Sequence, residues 1–270
     1  MDKNILLLEE QDEYDIDVNP RGAEDIVRGF KLYKFGNEDL KGCILRVGSK
    51  DIPLDEYKDN SLYIVESELY NNVYYPIDKY NEYYETDFKN LIRDMAWNMG
   101  ATKIKIYSKR EEINIDKEEN NIKAKVKVNH KIEVDSELEH NKSNMSEVDK
   151  NIEQELEIER EKEKAEKTKM TKEEFSNWIE KEGINEKASI FKSHIENFKK
   201  FGEAHGLLKL NEEKSELSRN VYKTYTGIKV CINGLPSRLD SVKSNLSINF
   251  NSYKDNERKL IKKFSGYIEF

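Results

Sequence analysis

Hydrophobic residues fall on every second position through residues 122–140. Ile122, Ala124, Val126, Val128, His130, Ile132, Val134, Ser136, Leu138 and His140 take alternate sites, with Lys, Asn, Asp and Glu between them. Successive side chains of a strand leave opposite faces, so this run predicts a long β-strand with one buried and one wet face. Shorter period-two runs predict further strands at residues 103–108 (KIKIYS), at Ile228, Val230 and Ile232, at Leu246, Ile248 and Phe250, and at Phe264, Ile268 and Phe270. Residues 4–8 and 61–66 are short apolar blocks of strand length. Turn signals stand at Asn19-Pro20, Gly36-Asn37 and Gly48-Ser49.

Three- and four-residue spacing takes over elsewhere. Ile77, Tyr80, Tyr84, Phe88, Leu91, Ile92, Met95 and Met99 predict a helix with one apolar face, and Gly100 stands where a left-handed C-cap is wanted. Thr171 and Glu174 form a capping-box signature ahead of Phe175, Trp178 and Ile179, predicting a helix up to Gly183. A second helix is expected over about 185–201, burying Ala188, Phe191, Ile195 and Phe198. Residues 147–170 fit two readings. Ile152, Leu156 and Ile158 alternate with glutamates, as in the return strand of a hairpin that sets Lys127 opposite Glu163 and Lys131 opposite Glu159. Val148, Ile152 and Leu156 are also four apart, as in a solvated helix.

These elements predict an α+β fold, an antiparallel sheet of long amphipathic hairpins with helices packed on one side. Residues 1–100 form an acidic, tyrosine-rich α+β region, and residues 101–270 a hairpin–helices–hairpin region that can be continuous with it.

Composition narrows the picture. Hydrophobic residues make up 36% and charged residues 37% of the chain, which calls for thin layers with much solvated face; 10% aromatics argue against disorder. Cys43 and Cys231 are far apart with no CxxC spacing, as expected of reduced thiols in the cytoplasm. The apolar run at residues 5–8 is too short for a signal peptide, and no run reaches the length of a membrane span, so a soluble protein is expected. Heavy use of Lys, Glu, Asn and Ile resembles proteins of AT-rich bacterial genomes. The net charge of −8 is uneven: residues 221–270 hold nine basic against four acidic groups, so the remainder carries −13. A basic end can meet an anionic membrane surface, nucleic acid or the chain's own acidic part.

Recognisable chemistry is sparse. No GxxxxGK[ST] or GxGxxG loop is present, and the four histidines and two cysteines show no metal-ligand spacing, so no cofactor, metal or catalytic residue is assigned. Cys43, in GCILRVG, reads as a small core residue. The tyrosines say more. Eight fall within residues 57–84, and Tyr70, Tyr74, Tyr75, Tyr80, Tyr83 and Tyr84 are the candidate protein-interaction residues, since tyrosine pairs rigid contact area with a polar tip. The competing reading sends half of them into the core. Interleaved acids count against a nucleic-acid stacking platform.

The leading functional expectation is a non-catalytic protein-interaction or assembly protein, with a protein partner or self-association through the tyrosines or an edge strand. Two hairpin regions flanking helices are similar in pattern to gasdermin and perforin-like proteins, with no family motif shared; that similarity implies a pore-forming effector as the alternative. An enzyme assembled from residues distant in sequence is the third.

Overall fold

A computed structural model describes residues 4–19, 31–59, 61–112, 153–187, 192–204, 206–213, 235–240, 242–244 and 259–270. The alternating run at 122–140 lies outside them, as do those at 228–232 and 246–250 and residues Ala188 and Phe191.

The fold is α+β, with two sheets among the described residues. The first has six strands in the order β2-β1-β5-β6-β3-β4, from β1 (Asn4–Leu8), β2 (Lys31–Lys34), β3 (Ile44–Val47), β4 (Lys50–Pro53), β5 (Leu62–Glu66) and β6 (Val73–Pro76). Pairing is mixed: β1–β2 and β3–β6 run parallel, and β1–β5, β5–β6 and β3–β4 antiparallel. Gly48 has φ 62° in the turn between β3 and β4, where the Gly48-Ser49 signal places it.

Both faces of its central strands, β1, β5 and β6, are covered. Leu6, Leu8, Tyr63, Val65 and Tyr75 enter the larger of two cores, while their neighbours Ile5, Leu7, Leu62, Ile64 and Tyr74 enter the smaller, under Leu40, Cys43, Leu54 and Tyr57. A strand dry on both sides has no polar face to show, which is why residues 4–8 and 61–66 read as unbroken apolar blocks.

The second sheet is antiparallel with the order β8-β7-β10-β9, from β7 (Lys103–Glu112), β8 (Glu153–Glu159), β9 (Leu207–Glu213) and β10 (Lys259–Glu269). Ile104, Ile106, Phe264 and Ile268 point inward, and Lys103, Lys105, Glu157 and Glu159 form an ion-pair lattice on the outer face. The register sets Lys103 opposite Glu159 and Lys105 opposite Glu157. The lysines expected opposite this strand, Lys127 and Lys131, lie outside the described residues, and Glu163, expected on the strand beside Lys127, lies in the helix that follows it. Residues 147–170 are divided between the two readings, with β8 ending at Glu159 and a helix, α3 (Lys162–Thr168), following. Gly266 lies opposite Ile106, where an added Cβ would stand 1.9 Å from the Lys105 carbonyl oxygen, so the strands approach too closely for any side chain.

Helix α2 (Tyr80–Asn98) touches β6 of the first sheet and β7 and β10 of the second. Its predicted apolar face, from Tyr80 to Met95, is buried throughout, and Phe88 stacks on Phe264 with centroids 4.0 Å apart. Glu85 is also buried and is met by Ser108 Oγ and Lys89 Nζ, both at 2.7 Å. Gly100, with φ 91°, ends the helix. Helix α4 (Lys172–Lys181) starts at the predicted capping box, with the Glu174 amide donating to Thr171 Oγ1 and the Thr171 amide to Glu174 Oε2. Helix α5 (Lys192–Phe201) packs on it through Phe198 and Phe175.

One helix has no counterpart in the sequence pattern: α1 (Glu10–Val18) buries only Asp12 and Ile16, leaving no apolar rhythm to read. Asp12 accepts from Ser61 Oγ at 2.6 Å. No described helix is long and apolar enough to cross a membrane.

Candidate functional site: a two-tryptophan cleft

The C-terminal half of α2 presents Leu91, Asp94, Trp97 and Asn98 on one side, residues three and four apart on a helix being neighbours on its surface. Trp178 and Glu182, four apart, face them from α4 and its exit. Met170 enters from the link between α3 and α4, and Tyr70 and Ile184 complete an open cleft of about 290 Å³. The only two tryptophans of the chain therefore meet in one place.

A clasp between distant segments holds the cleft together. Gly183, with φ 64°, turns the chain out of α4, and residues 183–185 then run beside the loop after β5. The Asn71 amide donates to the Gly183 carbonyl at 2.7 Å and the Asn185 amide to the Leu69 carbonyl at 2.9 Å. The Asn71 side chain reaches the Ile184 carbonyl at 3.3 Å, and that of Asn185 the Glu68 carbonyl at 2.9 Å. Tyr70 and Ile184 form an antiparallel bridge between them.

Two of the rings already carry a cation of the chain's own. The Arg160 guanidinium lies 4.4 Å from the Trp97 ring centroid, and that of Arg46 lies 4.9 Å from the Tyr70 centroid. Every nitrogen of both groups is engaged. Arg160 donates to the Ala101 carbonyl, the Trp97 carbonyl and Thr168 Oγ1 at 2.5, 2.8 and 2.6 Å. Arg46 forks onto Asp51 at 2.7 and 2.9 Å and reaches Asp87 Oδ2 at 2.7 Å. Tyr75 donates to the same Asp87 oxygen at 2.5 Å. The Asp51 hydrogen bonds, and after them Asp87, hold the Arg46 guanidinium more firmly protonated than usual, while burial pulls Arg160 the other way. Burial, with the Asp87 charge second, pushes the Tyr70 hydroxyl up to about 12.

Comparison with protein-family models, with curated proteins and with solved structures finds no match. The functional reading of the chain therefore rests on this geometry.

Of the six tyrosines singled out from sequence, Tyr74, Tyr75, Tyr80 and Tyr84 are at most 2% exposed. They present no contact surface because alternation along β6 sends Tyr74 and Tyr75 into opposite cores, and Tyr80 and Tyr84 lie on the buried face of α2. Only Tyr70 and Tyr83 are part-exposed, and only Tyr70 borders the cleft. Trp97 and Met170, which the periodicity of the sequence does not mark, replace the others. The signal available is rarity: the chain's two tryptophans, each near the C-terminal end of a helix, each with a carboxylate three or four residues away.

Other polar groups are committed to structure. Cys43 is buried, and burial pushes its thiol up, against nucleophilic use. Ser61 serves Asp12 and accepts from the Glu9 amide, and no cluster among the described residues brings three or more His, Cys, Asp or Glu together as metal ligands.

Proposed function

We propose that the chain is a non-catalytic protein-binding module and that the two-tryptophan cleft is where a partner's side chain anchors. The observation that carries this is the convergence of Trp97, Trp178, Tyr70 and Met170, from separate stretches of sequence, on one open cleft. Burial of apolar area favours such rings inside, so large rings left at a concave, solvent-reached surface offer area for another molecule to cover. Tryptophan and tyrosine also dominate the energetics of protein–protein contacts, because they fix much area with few rotors.

The test is a comparison of variants purified from the native host with whatever binds them. Trp178→Ala should lose a protein that wild type retains, and Tyr14→Ala, which alters a ring 61% exposed on α1, should keep it. Circular dichroism first establishes that both variants are folded. If each protein captured by wild type also remains on folded Trp178→Ala, the cleft is not the docking site.

A further inference from the structure

We infer that the group this cleft takes is a basic side chain, lysine or arginine, of a partner segment. The inference rests on the cleft being the docking site and adds the chemistry of the occupant.

The faces of aromatic rings are electron-rich, and three rings border the cleft. The chain itself shows what those rings hold, having placed a guanidinium over Trp97 and another over Tyr70. Carboxylates stand on both walls, Asp94 from α2 and Glu182 from the end of α4. Asp94 already accepts from Arg93 Nε at 2.8 Å, whereas Glu182 has no ion pair among the described residues. A cation entering between the rings would therefore find a free carboxylate.

An anionic ligand would find the reverse. Arg46, Arg160 and Arg93 each already donate to partners within the chain, so an anion would compete with those bonds while facing the carboxylates of Asp94 and Glu182. Size narrows the choice further, because about 290 Å³ suits one long side chain better than a nucleotide-sized cofactor. Long-range charge agrees: a chain of net −8, with −13 outside its last fifty residues, draws a basic partner towards it.

Since both tryptophans border the cleft, intrinsic fluorescence reports its occupancy directly in the full chain. The probes are the Nα-acetyl N-methylamides of arginine, lysine, citrulline and glutamate, titrated at low salt. Citrulline keeps the shape of arginine without its charge. The arginine or lysine probe should give a saturable change that weakens with added salt, with citrulline and glutamate about tenfold weaker or silent, the value of one charge-assisted hydrogen bond. Glu182→Gln, an exposed change that leaves the melting temperature in place, should remove most of the gap between arginine and citrulline. Equal binding of arginine, lysine and citrulline, or a gap that Glu182→Gln leaves intact, overturns the inference. If Trp178→Ala abolishes that equal binding, the docking reading stands with a different occupant. Silence from all four probes overturns the inference too, and the partner-loss experiment then decides the docking reading on its own.

Discussion

The two sheets bury their side chains in different ways. The central strands of the six-stranded sheet, β1, β5 and β6, are dry on both faces, with Leu6 and Ile5, Tyr63 and Ile64, Tyr75 and Tyr74 taking opposite sides. The four-stranded sheet has one dry face, and its other carries Lys103, Lys105, Glu157 and Glu159 in water. A doubly covered strand can accept no charge at any position, whereas a singly covered strand accepts one at every second. Sequence therefore specifies the second sheet by pattern and the centre of the first only by hydrophobicity.

The sharpest way to break this contrast is to put a charge into the first sheet. Leu7→Lys buries an ammonium at a site 0% exposed and should leave no cooperative thermal transition; a normal melt would mean that this face of β1 is wet.

Alkali should act on the same region. Burial raises the phenols of Tyr57 and Tyr70 to about 12 and those of Tyr63, Tyr75 and Tyr80 still higher. Above pH of about 10 an unfolded chain releases these protons while the folded chain keeps them, so the unfolded state binds fewer and stability falls as pH rises. Circular dichroism should show cooperative unfolding between pH about 10 and about 12, with a step in tyrosinate absorbance at the same transition as the buried rings are released.

In the second sheet the inward face is the vulnerable one. Phe264→Ala removes the ring stacked on Phe88 and should cost about 3–5 kcal/mol by denaturant titration. Thr171→Ala, which deletes the α4 cap while leaving both sheets untouched, should cost about 1 kcal/mol. Glu157→Gln, on the wet face, should melt with wild type; a clear drop would show that the outer lattice contributes to stability.

How much of the fold can be read from the residues follows the same division. Helix α2, the capping box before α4, the strand beginning at Lys103 and the glycine exits at Gly100 and Gly183 each have a local cause and are legible. Helix α1 is not, because Asp12 and Ile16 alone turn inward and one of them is a carboxylate held by Ser61. The glutamates of β8 are legible as one face of a strand, but the partner they find in Lys103 and Lys105 is not, because any lysine-alternating strand satisfies them and the choice depends on which one the fold brings alongside. The cleft is the least legible feature. Trp178 belongs by its spacing to the apolar side of α4, but its meeting with Trp97 and Tyr70 depends on the clasp between residues 68–71 and 183–185, whose bonds all end on main-chain carbonyls that every residue carries.

That clasp has a thermodynamic consequence. Cleft residues come from three stretches, around Tyr70, around Trp97 and from Met170 to Ile184, joined across more than a hundred positions of chain. Anything lodged there touches all three and is released when they part, so occupancy and unfolding are linked by mass action, and a ligand at a hundred times its dissociation constant would add about 2.7 kcal/mol to the native state. Raising the melting point thus becomes a screen for occupants, one that works on compounds of any chemistry.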